Sequence, residues 1–462
     1  MFSIGYIPYS FPRDPIKVNQ AVEHLVLAQV LEPLVTVDNE GQVVSGVASR
    51  WSFSSNNESF EFLIDRKKRF ENGKQILAKD VAYSITRHLT SSDSQSFQFL
   101  QNIESITIEE EHKISIRLKQ PQPAILKALS RSQLGIVPDG WAFDENSDKP
   151  FISSGKYTLV RKGSEWFLNL RRDLFDEAPA DVIKEWKIIF GSPSEAEIAS
   201  QPVPDYIPLA RKGVIESLKR ESRFSNSSYH IEDSFSLAQT AAWWFPRGQN
   251  YGDIAFRKLA MGAVRELFER RRAKLRYRKS TGLVPHGVPG CLTEVITFPV
   301  HPPSDQTMNI KIMLSAANFK EIFDSDDQLF VEQKYNVRFE LFIETLNWKE
   351  ELEIQKPDVY IVAWLGGFAE PEGFLTVLTS MLRIDFDEYF GSAKSTYEKG
   401  SAEFQVSERN RLFQEFNTAL LLTEKMVPAW QPSIFSVAKV GLKTEKNLLR
   451  YTPDLFGVRF ER

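Results

Sequence analysis

KPDVYIVAWLGGFAEPEGFLTVL, residues 356–378, is the stretch whose reading decides the fold. Residues 358–363 form a short apolar run, rich in β-branched side chains and bounded by Pro357 and the Gly366–Gly367 pair. That pattern predicts a buried strand delivering its end into a loop. The loop holds Trp364, two glycines, Phe368, Glu370 and Pro371, and Phe374 and Leu375 then open an apolar helix. Glycines let backbone amides approach a bound molecule closely, and an indole offers it a flat face. Taken alone, the segment reads as a tight strand-to-helix turn with an aromatic plug.

The totals narrow the field. A chain of 462 residues exceeds the roughly 250–300 at which single cores stop growing, so two or three domains are expected. Hydrophobic content of 42% and charged content of 26% are those of an ordinary globular protein. A formal net charge of -4 gives no general attraction to nucleic acid or anionic lipid. No run approaches the ~18 apolar residues of a membrane-spanning helix. Cys291 is the only cysteine, which excludes an intramolecular disulfide and a multi-cysteine metal cluster. Aromatic content of 12%, with nine tryptophans, suits a cleft that stacks on ligands.

The stretch 358–375 resembles the signature loop of the family 5 solute-binding proteins of ABC importers, the dipeptide- and oligopeptide-binding group. Trp364, Phe368, Glu370, Pro371, Phe374 and Leu375 match its pattern. Gly367 stands where the peptide binders carry an aspartate that pairs with the peptide's ammonium group. Further short motifs follow in the family's order: Glu32-Pro33-Leu34-Val35, the turn 38–41, Gly46 to Trp51, the turn 70–73, and Ala78-Lys79-Asp80-Val81. Ser153 to Tyr157 sits at the family's "G-T-G-P-Y". Residues 238–245 with 254–278 resemble its entry into the third domain, and Ser280 to Gly290 its proline–glycine loop beside the ligand. Each motif is weak; their order along nearly the whole chain is the specific signal.

Periodicity agrees with that frame. A first strand ends at Pro8, and residues 19–29 carry helical spacing. Asp80 is an acidic residue near a helix start, and residues 103–108 and 114–118 alternate as half-buried strands. Residues 310–314, 337–342 and 359–362 suggest a parallel sheet with crossover helices. A helix over 407–423 leads into the returning segment 426–432.

The resemblance implies an α/β fold of the two-lobed periplasmic-binding-protein type, the large class with an extra inserted domain, with mixed sheets flanked by helices and the ligand cleft between lobes. A discontinuous first domain would comprise 1–35, 150–235 and 430–462, with an inserted second domain over 36–149 and a third over 236–429. The function implied is capture of a peptide or other small polar organic solute by lobe closure, for delivery to the membrane permease subunits of an ABC importer. The protein would be a non-enzymatic monomer without cofactor or metal, and would bind no nucleic acid. The alternative is the ligand-sensing domain of a transcriptional regulator with the same fold. Family members begin their mature chain much as this one does, after a signal or lipoprotein leader is removed. The resemblance therefore implies that Met1 stands in place of such a leader, and that the location is periplasmic or extracytoplasmic.

The candidate ligand-binding residues are Val22, Glu23, Trp243, His286, Ala363, Trp364, Leu365, Gly366, Gly367, Phe368 and Glu370, with Trp364 forming part of the cleft wall. Glu23 reads equally as an exposed helix carboxylate, His286 as an exposed loop histidine and Glu370 as a loop or helix-start residue. A buried ammonium needs a counter-charge. With glycine at 367, peptides with a free amino terminus are expected to bind weakly unless Glu370 or Glu23 substitutes. Other chemistry is not encoded. Ser153-x-x-Lys156 lacks the partner motifs of penicilloyl-serine enzymes. The six histidines show no metal-ligand spacing. The basic run from Arg265 to Lys279 is interleaved with Val264, Leu267, Phe268 and Leu275, which favours a solvated helix face over a phosphate grip.

Overall fold

The structure, a computed structural model, describes residues 1–7, 11–18, 20–94, 96–191, 203–220, 228–234, 238–275, 277–345, 348–382, 385–432, 434–444 and 454–460. Pro8, Asn19 and Arg276, used in the reading above, lie outside them. The chain divides into two compact units: residues 1–236 with 433–462, and residues 237–432.

Among the described residues, the first unit holds a seven-stranded mixed sheet. Its order is Tyr229–Ser234, Ile434–Lys439, Tyr206–Arg211, Phe2–Ile7, Glu185–Phe190, Glu165–Leu170, Tyr157–Lys162. Phe2–Ile7 runs parallel to both of its neighbours. The helix Ala21–Val30 turns Leu25, Val26 and Val30 into the core with Ile4, Trp186 and Leu168. A separate antiparallel sheet is ordered Ala48–Phe53, Ser59–Ile64, Lys113–Leu118, Ile103–Glu110. Alternate residues Phe60, Phe62 and Ile64 are buried, as are Ile114, Ile116 and Leu118, the period-2 pattern of a half-buried sheet. Asp80 sits in the first turn of the helix Ala78–Leu89. It accepts the amide of Leu77, the residue that caps this helix, at 2.8 Å, and the loop amide of Asp139 at 2.8 Å.

In the second unit, six strands are ordered Arg278–Lys279, Met426–Gln431, Ala238–Trp244, Val359–Leu365, Met308–Ser315, Val337–Glu344. The last three are parallel, as the βα pattern predicts, and the rest antiparallel. Along Val359–Leu365, Val359 and Ile361 face a core shared with the helix Ile254–Leu275. Tyr360, Val362 and Trp364 therefore face the other way.

The basic stretch of that helix is held by carboxylates. Arg270 Nε lies 2.9 Å and Lys274 Nζ 2.7 Å from Asp327, and Arg272 Nη2 lies 2.8 Å from Glu269. Asp327 is fully buried on the helix Ser325–Tyr335. This neutralised face does not present a run of cations to phosphate. No described helix is long and apolar enough to cross a membrane.

Candidate functional site

Trp364, expected in the loop, is the penultimate residue of its strand. Antiparallel pairing continues through Gln239↔Trp364 and Ala238↔Leu365, and this ladder draws both residues into the sheet. Ala363 and Leu365 are half-buried, while the indole is only 4% exposed. Trp364 packs edge-on against Trp243, with ring centroids 6.1 Å apart, and Trp243 in turn lies 6.3 Å from Tyr389. An open flat face is therefore corrected to a buried aromatic stack.

The loop after the strand is tied to itself. Gly367 donates its amide to Gly373 O at 2.9 Å, and Gly373 donates to Glu370 O at 2.9 Å. The helix Pro371–Leu382 begins at Pro371, a residue suited to a first helical turn because its missing N–H is not needed there. A Cβ at Gly366 would lie 2.5 Å from the Phe374 ring, so this glycine makes room for the protein's own side chain. Gly366→Ala is expected to cost about 1–3 kcal/mol through overpacking. Denaturant unfolding would show it; an unchanged midpoint would contradict this packing.

Glu370 is more than a simple loop carboxylate. It is buried and receives Arg409 Nη2 at 3.1 Å. The same nitrogen donates to both oxygens of Glu372, at 2.7 and 2.8 Å, while Arg409 Nη1 donates to Gly400 O at 2.6 Å. Burial pushes the Glu372 carboxyl up against the pull of Arg409.

Glu23, read equally as a ligand contact and as an exposed helix carboxylate, is 0% exposed. It receives Arg13 Nε at 2.7 Å and the Gln20 amide at 3.0 Å, so it caps its helix and holds an arginine. Val22 packs on the first unit's core. His286 is half-buried rather than exposed. Its Nε2 lies 3.4 Å from Lys279 O, and burial and the charge of Arg278 hold its pKa below the usual value. The structure thus assembles Trp243, Ala363, Trp364, Leu365 and the loop 366–370 in one place, with Val22 and Glu23 in the other unit.

The sequence reading missed three neighbours of Trp364's face. Gln239, opposite Trp364 in register, is 1% exposed, and Gln431 is 7% exposed. Gln239 Oε1, both amide atoms of Gln431 and the Trp364 Nε1 have no hydrogen-bond partner among the described residues. Gln239 Nε2 donates to Gly282 O at 3.3 Å. Nearby, Asn417 Oδ1 accepts the Leu283 amide at 2.9 Å while its Nδ2 has no partner among the described residues. The signal was present as two glutamines within otherwise apolar strand runs.

Other candidate chemistry dissolves. Ser153 Oγ lies 2.6 Å from Val30 O, and Lys156 Nζ pairs with Asp454 at 2.7 Å, so the two make no serine–lysine couple. Among the described residues no His, Cys, Asp and Glu group could hold a metal ion. An open groove of about 570 Å³ beside Glu294, Arg411 and Gln414 includes no predicted site residue.

A family profile, "Bacterial extracellular solute-binding proteins, family 5 Middle", matches residues 42–172. That match covers less than a third of the 462-residue chain. Among curated relatives, the probable deoxycholate-binding periplasmic protein YgiS of Escherichia coli is 19% identical, over 92% of this chain and 87% of that protein. The periplasmic murein peptide-binding protein MppA of Escherichia coli is also 19% identical, over 93% of this chain and 87% of that protein. The solved structure of MppA covers 100% of this chain and 98% of its own at TM-score 0.79 and 16% identity. The periplasmic binding protein DppA of Helicobacter pylori, solved with the peptide STSA, gives TM-score 0.79 at 14% identity over 100% of this chain and 98% of its own. The fold class is that of the two-lobed periplasmic binding proteins, as the family 5 resemblance implied.

Proposed function

We propose that this chain is the substrate-binding component of an ABC-type importer, capturing a peptide or other small polar organic solute. The observation that carries the reading is the family 5 match over 42–172 joined to fold likeness along the whole chain. Named relatives include peptide binders and a probable deoxycholate binder, so the solute class is broad. The regulator alternative draws no support from these relatives.

The finer parts rest on the same kinship: a non-enzymatic monomer, outside the cytoplasm, that hands solute to membrane permease subunits. So does a discontinuous first domain of 1–35, 150–235 and 430–462, an inserted one of 36–149 and a third of 236–429. Strands from both chain ends within one sheet support that discontinuity. Capture by lobe closure is part of the proposal, with the Trp364 segment as one contributor. Calorimetry with di- to pentapeptides, capped peptides, sugars and bile acids is expected to find one class binding with one-to-one stoichiometry. Small-angle scattering should then show a smaller radius of gyration with solute. Saturable binding without compaction would refute closure, and no binding across all classes would refute solute capture.

A further inference from the structure

We propose that the second unit recognises an uncharged part of the solute, a group offering both a hydrogen-bond donor and an acceptor, through Trp364, Gln239 and Gln431. The inference rests on the solute-binding reading and names the chemistry taken at that site.

Strand register brings the three side chains into a row. Gln239 is paired with Trp364, and Thr240 with Trp430, so Gln431 comes alongside Gln239 one step further on. Trp430 packs on Phe268 and Tyr277 on the helix side of the sheet. Alternation then turns Gln431 to the opposite face, the face of Trp364 and Gln239. All three are more than nine-tenths buried. Four polar atoms of the row have no partner among the described residues: the indole N–H, Gln239 Oε1, and the oxygen and nitrogen of the Gln431 amide. The donation from Gln239 Nε2 to Gly282 O fixes which end of that amide is left over.

Buried polar groups are almost always satisfied, so clustered unsatisfied ones call for an occupant. The occupant's chemistry follows from the census: two donors and two acceptors, none charged. Glu370 and Glu372 are both engaged by Arg409, whose single positive charge they share. Arg278, paired in register with Gln431, adds positive charge at the exposed end of the row. None of the row's unpaired atoms carries a charge, so an ammonium group meets no counter-charge among them, whereas a carboxamide or a pair of hydroxyls can use every one.

The test uses the full chain, with native mass spectrometry and titration calorimetry. The probes are tri-alanine with a free amino terminus, its N-acetylated amide, and maltose, followed by whole-cell extract. The expected result is retention of the capped peptide or of the disaccharide, which separates the amide source from the hydroxyl source, at least tenfold more tightly than free tri-alanine. Gln239→Leu should abolish that retention, and Gln239→Glu should shift preference towards free tri-alanine. Melting curves identify a variant that fails to fold, in which case Gln431→Leu takes its place. Equal or tighter binding of free tri-alanine by the wild type overturns the inference while solute capture stands. So does unchanged binding in the folded leucine variants, which would assign the row to structural water. Wild type that retains no probe and nothing from extract overturns both readings.

Discussion

Arg409→Met is expected to lower the unfolding free energy of the second unit by about 3–5 kcal/mol, because it strands two buried carboxylates without their cation. Arg409 lies above the Phe413 ring at 4.8 Å, so methionine keeps much of the stem packing and loses the charge. It also loses the bonds to Glu370, Glu372 and Gly400 O. The defect should shrink in acid. Burial raises the Glu372 carboxyl even against the pull of Arg409, so without that cation the penalty is absent below the unfolded value and grows as pH rises. Adding Glu370→Gln and Glu372→Gln to Arg409→Met should recover most of the loss, since neutral amides no longer need a counter-charge. Denaturant titrations at pH 7.5 and 5.0 on the single and triple variants provide the comparison. A single variant within 1 kcal/mol of wild type (roughly the median worth of an exposed pair) would show that the triad is solvated, and would return Glu370 to the pool of ligand groups.

A steep loss of stability below pH 6.5 is expected in the first unit. His24 is fully enclosed, and burial first, then the charge of Arg131, hold its pKa well below the usual value. His88 is pushed down to about 3, chiefly by burial. Its Nδ1 lies 2.7 Å from Ser94 Oγ and its Nε2 2.9 Å from Gln133 O, an arrangement that uses both ring nitrogens of a neutral imidazole. The unfolded chain takes up these protons below about pH 6.5 while the folded one does not. Stability is therefore complete above pH 6.5 and is lost as pH falls towards the folded values. His88 contributes about 1.4 kcal/mol per pH unit, or roughly 2.5 kcal/mol between pH 6.5 and 4.5, and His24 adds to it in the same direction. That is a large fraction of the whole stability of many domains. Glu71, a carboxyl of this unit raised by burial, acts in the opposite direction. The clean readout is therefore His88→Gln, which should remove about half of the histidine slope. A wild-type slope that the substitution leaves unchanged would mean His88 already titrates in the folded state.

Much of the fold was legible because its signals are local. Alternation in 103–108 and 114–118 gave two strands of one sheet, and Asp80 marked a helix start through the amides it accepts. The run 358–363 gave its strand but not its end, because Trp364 and Leu365 are held by a partner strand more than a hundred residues earlier. Side-chain roles were harder for the same reason. Glu370 looks like a free loop carboxylate until Arg409, on a helix close in space but not in sequence, is set against it. Glu23 looks exposed until Arg13 folds over it. Gln239 and Gln431 were passed over because burial of an amide, not its presence, makes it informative.

One topological feature governs the order in which the molecule can be completed. Ile434–Lys439 inserts between Tyr206–Arg211 and Tyr229–Ser234. During synthesis those two earlier strands must wait, with a gap between them, until residues 237–432 have been made. The second unit is continuous in sequence and can close its own sheet first. The amino-terminal half of the chain therefore emerges earliest yet finishes last, with exposed strand edges for a chaperone to guard in the interval.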